Sequence, residues 1–277
     1  MTVAELPRAL LREDLANASG RDVRAAARSG QWRRATHGLA RGYVQANMAI
    51  VPKRYAFDFM LFCQRNPKPC PIIDVTDPGD PEARFAAPGS DVRVDLPGYR
   101  VFRDGEFVAE VSEITGYWRS DSVAFLLGCS NSMDDVLLEA RIPQRHLESE
   151  DGRISVYTSD IMCAPAGIFR GPVVVTMRPI PQDRLVDAVS ITARYPMAHG
   201  APVHVGDPRA IGIDDLSRVG WGKYNELRHD DVPVFWACGV TPQAVAANAR
   251  IPEMITHAAG HMFVSDLKLT QLAHGTR

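Results

Sequence analysis

The chain has 277 residues, 45% of them hydrophobic and 23% charged, and 31 Lys and Arg against 33 Asp and Glu leave a formal net charge of -2. That size and mixture belong to a globular protein able to bury about three quarters of its unfolded surface, as one large domain or two unequal ones. The near-neutral charge excludes a nucleic-acid footprint, and no apolar run approaches the roughly 20 residues of a membrane helix.

From the start, Leu6, Leu10, Leu11 and Leu15 trace one helical face, and Val23, Ala26 and Ala27 begin another after Gly20. Arg12, Arg21, Arg24, Arg28, Arg33 and Arg34 read as a solvated basic face. Arg8, Arg12, Glu13 and Asp14 break any signal-peptide core. The stretch from Gly42 to Ile50 alternates, so that Tyr43, Gln45 and Asn47 share a side if it is extended. A helix is expected over Ala56 to Cys63, and it stops before the prolines of 66–71. Residues 71–75 read as a strand, and 77–89 as a surface loop. Asp104-Gly105 predicts a hairpin turn between Tyr99–Phe102 and Phe107-Val108.

Two units then share one form. Val123 to Leu127 is a buried strand that runs into Gly128-Cys129-Ser130 and an acidic helix start at Asp134-Asp135. Val234 to Ala237 runs into Cys238-Gly239, with Thr241 as N-cap and Pro242 opening a helix. Between them lie strands at Ile154–Thr158 and Gly171–Met177 and a helix from Arg184 to Arg194. The expected fold class is α/β, with a mixed-sheet main domain of 1–135 plus 198–277 and an inserted α+β subdomain of 136–197. The odd five cysteines (63, 70, 129, 163, 238) lack metal-finger spacing, which points to a reducing, cytoplasmic setting.

Seven ordered segments carry a resemblance: GYVQANMAIVP, FCQRNPKPCPIIDVTDPGDP, FLLGCS, PAGIFRGPVVVTMRPI, HGAPVHVGDP, VPVFWACGVTPQ and ITHAAGHMF. Together, from about Gly42 to Asp266, the chain resembles the hydro-lyase family that includes D-glutamate cyclase. The resemblance implies a two-domain α/β fold and reversible conversion of D-glutamate to 5-oxo-D-proline and water, with no cofactor. The family pattern has an aromatic, Ser, an aromatic and Glu where this chain has Asn131, Ser132, Met133 and Asp134. It has a basic residue, Thr and Asn where this chain has Thr158, Ser159 and Asp160. If those positions line the pocket, the lost positive character implies a substrate with fewer negative charges than glutamate.

Closing a lactam needs a neutral amine held on the distal carboxyl carbon, a base for the ammonium proton and an acid for the departing oxygen. Positioning can supply roughly 7–11 kcal/mol, and placed proton carriers about 10²–10⁴-fold. The candidate acid–base groups are His199, His204, His257 and His261, with His257 or His204 expected as the base. Cys129 and Cys238 precede helix N-termini, where a thiolate is stabilised. Backbone donors after Ser130, with Asn131, and from Gly239 through Val240, Thr241 and Gln243 would hold a carboxylate, and Thr158, Asp160 and Asp207 complete the binding set. Asp207 either orients a histidine or caps its own helix. The expected ligand is a small carboxylate or amino acid, with neither nucleic acid nor membrane as a partner and a homodimer left open. Two alternatives stand beside this: a metal-dependent hydrolase using His204, Asp207, His257 and His261, and a carboxylate-binding protein without catalysis.

Overall fold

Strand β1 (Tyr43–Pro52) is buried from Val44 to Val51 and lies at the centre of the larger sheet. The computed structural model describes residues 10–149 and 152–275. Helices α1 (Arg12–Ala16) and α2 (Gly20–Arg28) precede β1. A reciprocal Ser19–Asp22 capping box starts α2, and this satisfies donors that would otherwise be orphaned. Leu6 lies outside the described residues; Leu15 is buried, but Leu11 faces solvent. Of the six arginines, Arg21, Arg28, Arg33 and Arg34 are exposed, as a solvated face requires, but Arg24 is not. Arg24 is 3% exposed, donating to the Val264 carbonyl at 2.7 Å and bridging Asp266. Arg28 forks onto the buried Asp95 at 2.8 and 3.0 Å. Docking α2 on the chain's end turns its basic side into a clamp.

After β1 come α3 (Lys53–Arg65), β2 (Ile72–Val75), β3 (Tyr99–Arg103), β4 (Glu106–Val111) and β5 (Ser122–Gly128). At the β3–β4 turn Asp104 and Gly105 both have positive φ, 51° and 84°, as the Asp-Gly signal requires. Then follow α4 (Asp134–Glu139), β6 (Ser155–Met162), β7 (Pro172–Pro181), α5 (Leu185–Ala193), β8 (His204–Val205), β9 (Trp221–Gly222) and β10 (Asp231–Ala237). The chain ends with α6 (Thr241–Asn248), β11 (Met254–His257) and β12 (Phe263–Lys268).

This α/β fold has two sheets. The larger runs β2-β5-β1-β11-β3-β4 with β12 also on β1, and the smaller runs β8-β10-β7-β6-β9. Every ladder named among the described residues is antiparallel. The smaller sheet therefore takes β6 and β7 from 136–197, but β8, β9 and β10 from beyond it, so strand membership does not follow a boundary at 197. A shared core joins the sheets: Val51 and Phe125 pack in one cluster with Val175 and Phe235, and Phe59 of α3 sets its ring edgewise on Phe125 and Phe169. Two features of β1 position the site. Its buried amides are bonded, Gln45 Nε2 to the Thr36 carbonyl and Asn47 Nδ2 to the Gly128 carbonyl at 2.7 Å, which offsets the cost of burying them. One edge is shared, with β12 pairing up to Ala46 and β11 from Ala49 onward, and that leaves a gap at Asn47 and Met48.

Candidate active site between two cysteine turns

The two strand–glycine–cysteine units come from different sheets, β5 from the larger and β10 from the smaller, so a shared sheet is not what brings them together. Cys129 has extended φ/ψ and leads through a 3-10 turn (Ser130–Met133) into α4. Cys238 leads through Gly239 and Val240 into α6. In each turn the sulfur accepts the amide N–H two residues on, from Asn131 and from Val240. The two thiols lie close enough to act on each other electrostatically. Burial pushes Cys129 up to about 12 and Cys238 up to about 11, and neither those amides nor the nearby Arg178 charge reverses it. Both are neutral thiols at neutral pH, not the thiolates that their helix positions suggest.

The glycines beside them serve chain-to-chain contacts. A Cβ on Gly128 would overlap the Met197 carbonyl, and one on Gly239 would overlap the Asn47 side chain. The space at Gly239 is thus filled by the protein's own amide, not left for a ligand. The α6 N-terminus offers fewer donors than its sequence promised. Val240 N–H goes to the Cys238 sulfur, Thr241 N–H to the Cys238 carbonyl at 3.0 Å, and Pro242 has none. Thr241 is the first helical residue and not the cap; its hydroxyl pins the helix to β7 by accepting Val174 N–H at 2.9 Å.

Between the turns lies Arg178 of β7, a fully buried arginine at 1% exposure that sequence reasoning passed over. Its Nη2 donates to Asp134 at 2.9 Å and to the Ser130 carbonyl and hydroxyl at 3.3 Å; Nε donates to Gln144 at 3.0 Å. Among the described residues Nη1 makes one bond, to the Thr176 hydroxyl at 3.3 Å, although it carries two N–H groups. Asp134 also meets His146 at 3.1 Å. Burial alone would raise the Asp134 carboxyl, but His146 and Arg178 outweigh it and hold the group below its ordinary value. The signal was present: in the apolar run of β7 only Thr176 and Arg178 are polar, two apart and so on one face.

His257, at the end of β11, fills the gap in β1. Met48 N–H points at its Nδ1 from 3.1 Å, closer than the Met48 carbonyl at 3.4 Å, and Gln243 Nε2 approaches from 2.8 Å. A backbone N–H can only donate, so Nδ1 holds the lone pair and Nε2 the proton. Burial pulls the ring down to about 4. His257 is therefore a neutral hydrogen-bond donor, and the expected base role loses its lone pair to Met48 and Gln243.

The remaining residues separate. His199 is buried, its Nδ1 on the Lys68 carbonyl at 2.8 Å, within electrostatic reach of Arg178. His204 lies on the edge strand β8, bonded to the Asp207 carbonyl at 2.7 Å and laid against Phe235. Asp207 caps its own 3-10 turn through Arg209 N–H and pairs with that arginine's side chain. The ring nitrogens of His261 face the Ala259 and Arg33 carbonyls. Among the described residues, no three His, Cys, Asp or Glu side chains are grouped to hold a metal, and the four named for that alternative are spread over three places. Thr158 pairs with Val174 and Val156 with Thr176, which puts Thr158 at the exposed rim of the Arg178 face. Asp160 lies beyond a bulge against Gly212.

The pattern that defines the D-glutamate cyclase family matches residues 123–266, from the start of β5 into β12. A protein of Stutzerimonas stutzeri named "Putative hydro-lyase" is 55% identical over 251 residues, covering 90% of this chain and 94% of its own length. Relatives of the same name from Geobacillus kaustophilus, 50% identical over 92% of this chain and 96% of theirs, and Thermoanaerobacter sp., 53% over 91% and 95%, extend the likeness to nearly the whole sequence. With the family pattern spanning both thiol turns and Arg178, and relatives at about half identity over nearly the whole chain, the chain belongs to the D-glutamate cyclase family of hydro-lyases.

Proposed function

We propose that the chain interconverts a small amino-acid carboxylate of the D-glutamate type and its lactam, 5-oxo-D-proline for D-glutamate, with release or uptake of water between the two cysteine turns. The observation that carries this is Arg178: a fully buried cation with a spare Nη1 donor, acting electrostatically on both Cys129 and Cys238. A substrate carboxylate bound there gains a charge-assisted bond in a dry site. His257, through Nε2–H, supports the same oxygen or the developing one, with Gln243 and Met48 fixing its tautomer.

The raised thiols suit this reaction for a reason of proton balance. The ammonium nitrogen gives up two protons as it becomes the lactam N–H, and the departing carboxyl oxygen takes two as it becomes water. Each thiol in turn donates one proton to that oxygen, and the thiolate left behind accepts one of the two protons from the nitrogen. An alkyl ammonium, at about 10, is more acidic than a thiol held at about 11 or 12, so the return step runs downhill. The thiol is regenerated and needs no thioester. Arg178 holds the transient thiolate, and burial keeps it from persisting.

The test is incubation of the protein with D- and L-glutamate, 5-oxoproline and hydroxylated amino acids, followed by mass spectrometry for loss or gain of one water. Arg178→Lys, which keeps the charge and loses the fork, is expected to raise KM at least about tenfold on the active substrate. An unchanged KM would remove Arg178 from the binding site.

A further inference from the structure

A cavity of about 750 Å³, within the roughly 300–1,000 Å³ range of small-molecule pockets, opens beside Gly128 and is not lined by either site cysteine. Its walls are mostly apolar, with Met60, Ile73, Phe85 and Met197 among them. Beside the exposed Gln64 amide, two polar groups on its lining are unspent. Lys68 has only a long 3.4 Å contact from Nζ to the Pro202 carbonyl and, among the described residues, no carboxylate partner. His199, 1% exposed, has no hydrogen-bond partner at Nε2.

The His199 tautomer follows from its other nitrogen. The Lys68 carbonyl can only accept, so Nδ1 carries the proton and Nε2 presents a lone pair. The buried ring stays neutral, pulled down to about 4. Its backbone is left-handed at φ 78°, a conformation uncommon for histidine, so the ring is held there by its surroundings. The lining's one carboxylate is already engaged: Asp74 accepts the N–H groups of Val75, Phe85 and Ala86 at 2.8 to 2.9 Å. The Cys63 and Cys70 thiols bond each other. What remains, beside the exposed Gln64 amide, is one cation and one acceptor, adjacent because the Lys68 backbone holds the His199 ring.

We infer that this cavity is a second ligand site, separate from the cysteine turns, for an α-amino or α-hydroxy acid with an apolar side chain. The carboxylate pairs with Lys68, the neighbouring N–H or O–H donates to His199 Nε2, and the side chain lies on the Met60, Phe85 and Met197 walls. An α-acid suits the pair because its anion and its donor are one carbon apart. The inference stands on these contacts and not on the proposed reaction.

Calorimetric titration tests it with phenylalanine and 3-phenyllactate against two truncated probes, 3-phenylpropionate without the donor and 2-phenylethylamine without the carboxylate. Both truncated probes should bind at least about tenfold more weakly, because one leaves the buried His199 nitrogen unpaired and the other leaves the half-buried Lys68 without its anion. Lys68→Met should weaken phenylalanine at least about tenfold and erase its advantage over 2-phenylethylamine, while Lys68→Arg retains it. Lys68 is half-buried and outside every helix and strand, so its variants test the site without breaking an element. A Cys129→Ser/Cys238→Ser double variant should bind phenylalanine as the parent does. The inference is overturned if no probe binds, if the truncated probes bind as well as phenylalanine, if Lys68→Met changes nothing, or if the double cysteine variant loses binding.

Discussion

The two cysteine turns are alike in local form and differ in the groups packed against them, although Arg178 acts on both. Each ends a buried strand, passes through a cysteine whose sulfur accepts the amide two residues on, and enters a helical turn. Around Cys129 the partners include an ion pair, Arg178 with Asp134, whose carboxylate also meets His146. Around Cys238 they are neutral amides, hydroxyls and a neutral ring: Asn47, Thr241, Gln243 and His257. Local sequence sets the shape of such a turn, and what packs against it from elsewhere in the chain sets the charge. Under the proposed function, the pairing would give one site a cation to receive a carboxylate and a set of uncharged donors for the oxygen that changes.

The comparison breaks most visibly at its ionic side. Arg178→Met leaves the buried Asp134 carboxylate with His146 alone, and the expected loss is about 3–5 kcal/mol in urea unfolding. Adding Asp134→Leu should recover a large part of it, because the double variant leaves no unpaired charge. A double variant no more stable than the single one would mean that the arginine's packing matters and its charge pairing does not.

The neutral side shows itself in pH. His257 and His199 are both drawn from the ordinary 6.5 to about 4, so on acidification the unfolded chain takes up protons before the folded one does. Their contribution is fully present above about pH 6.5 and is lost as pH falls toward 4, at about 3 kcal/mol per ring. Unfolding free energy measured from pH 7 to pH 4 should fall along this window, and less steeply in His257→Gln. An identical slope in that variant would show that His257 titrates normally.

Much of this was legible. The alternation of β1, the Asp-Gly hairpin, the buried run of β5 and the Pro-opened α6 follow from periodicity and turn chemistry that act over a few residues. The two cysteine turns were found as a repeated local form. Arg178 was hidden because a charged residue in an apolar strand has meaning only once Asp134 and Ser130, more than 40 positions away, arrive beside it. The donor role of His257 depended on a gap between β12 and β11 along β1, a matter of long-range register that one strand's pattern does not contain. For the same reason Gly239 read as room for a ligand when Asn47 fills it.

The smallest expected effect sharpens that last point. Asn47→Ala frees the Gly128 carbonyl of its donor and should cost about 1–3 kcal/mol, with Gly239→Ala tolerated better in that background than in the parent. Strict additivity of the two substitutions would show that they do not touch.

The central claim, that the two neutral thiols relay protons across one site, is tested most directly by the turnover of Cys129→Ser and Cys238→Ser with D-glutamate and with 5-oxo-D-proline. A serine hydroxyl keeps the shape and is a far weaker acid than the thiol. The account predicts that at least one variant loses at least about 10²-fold in kcat in both directions, with thermal unfolding within a few degrees of the parent. Near-parental kcat in both variants, alone and combined, would contradict it.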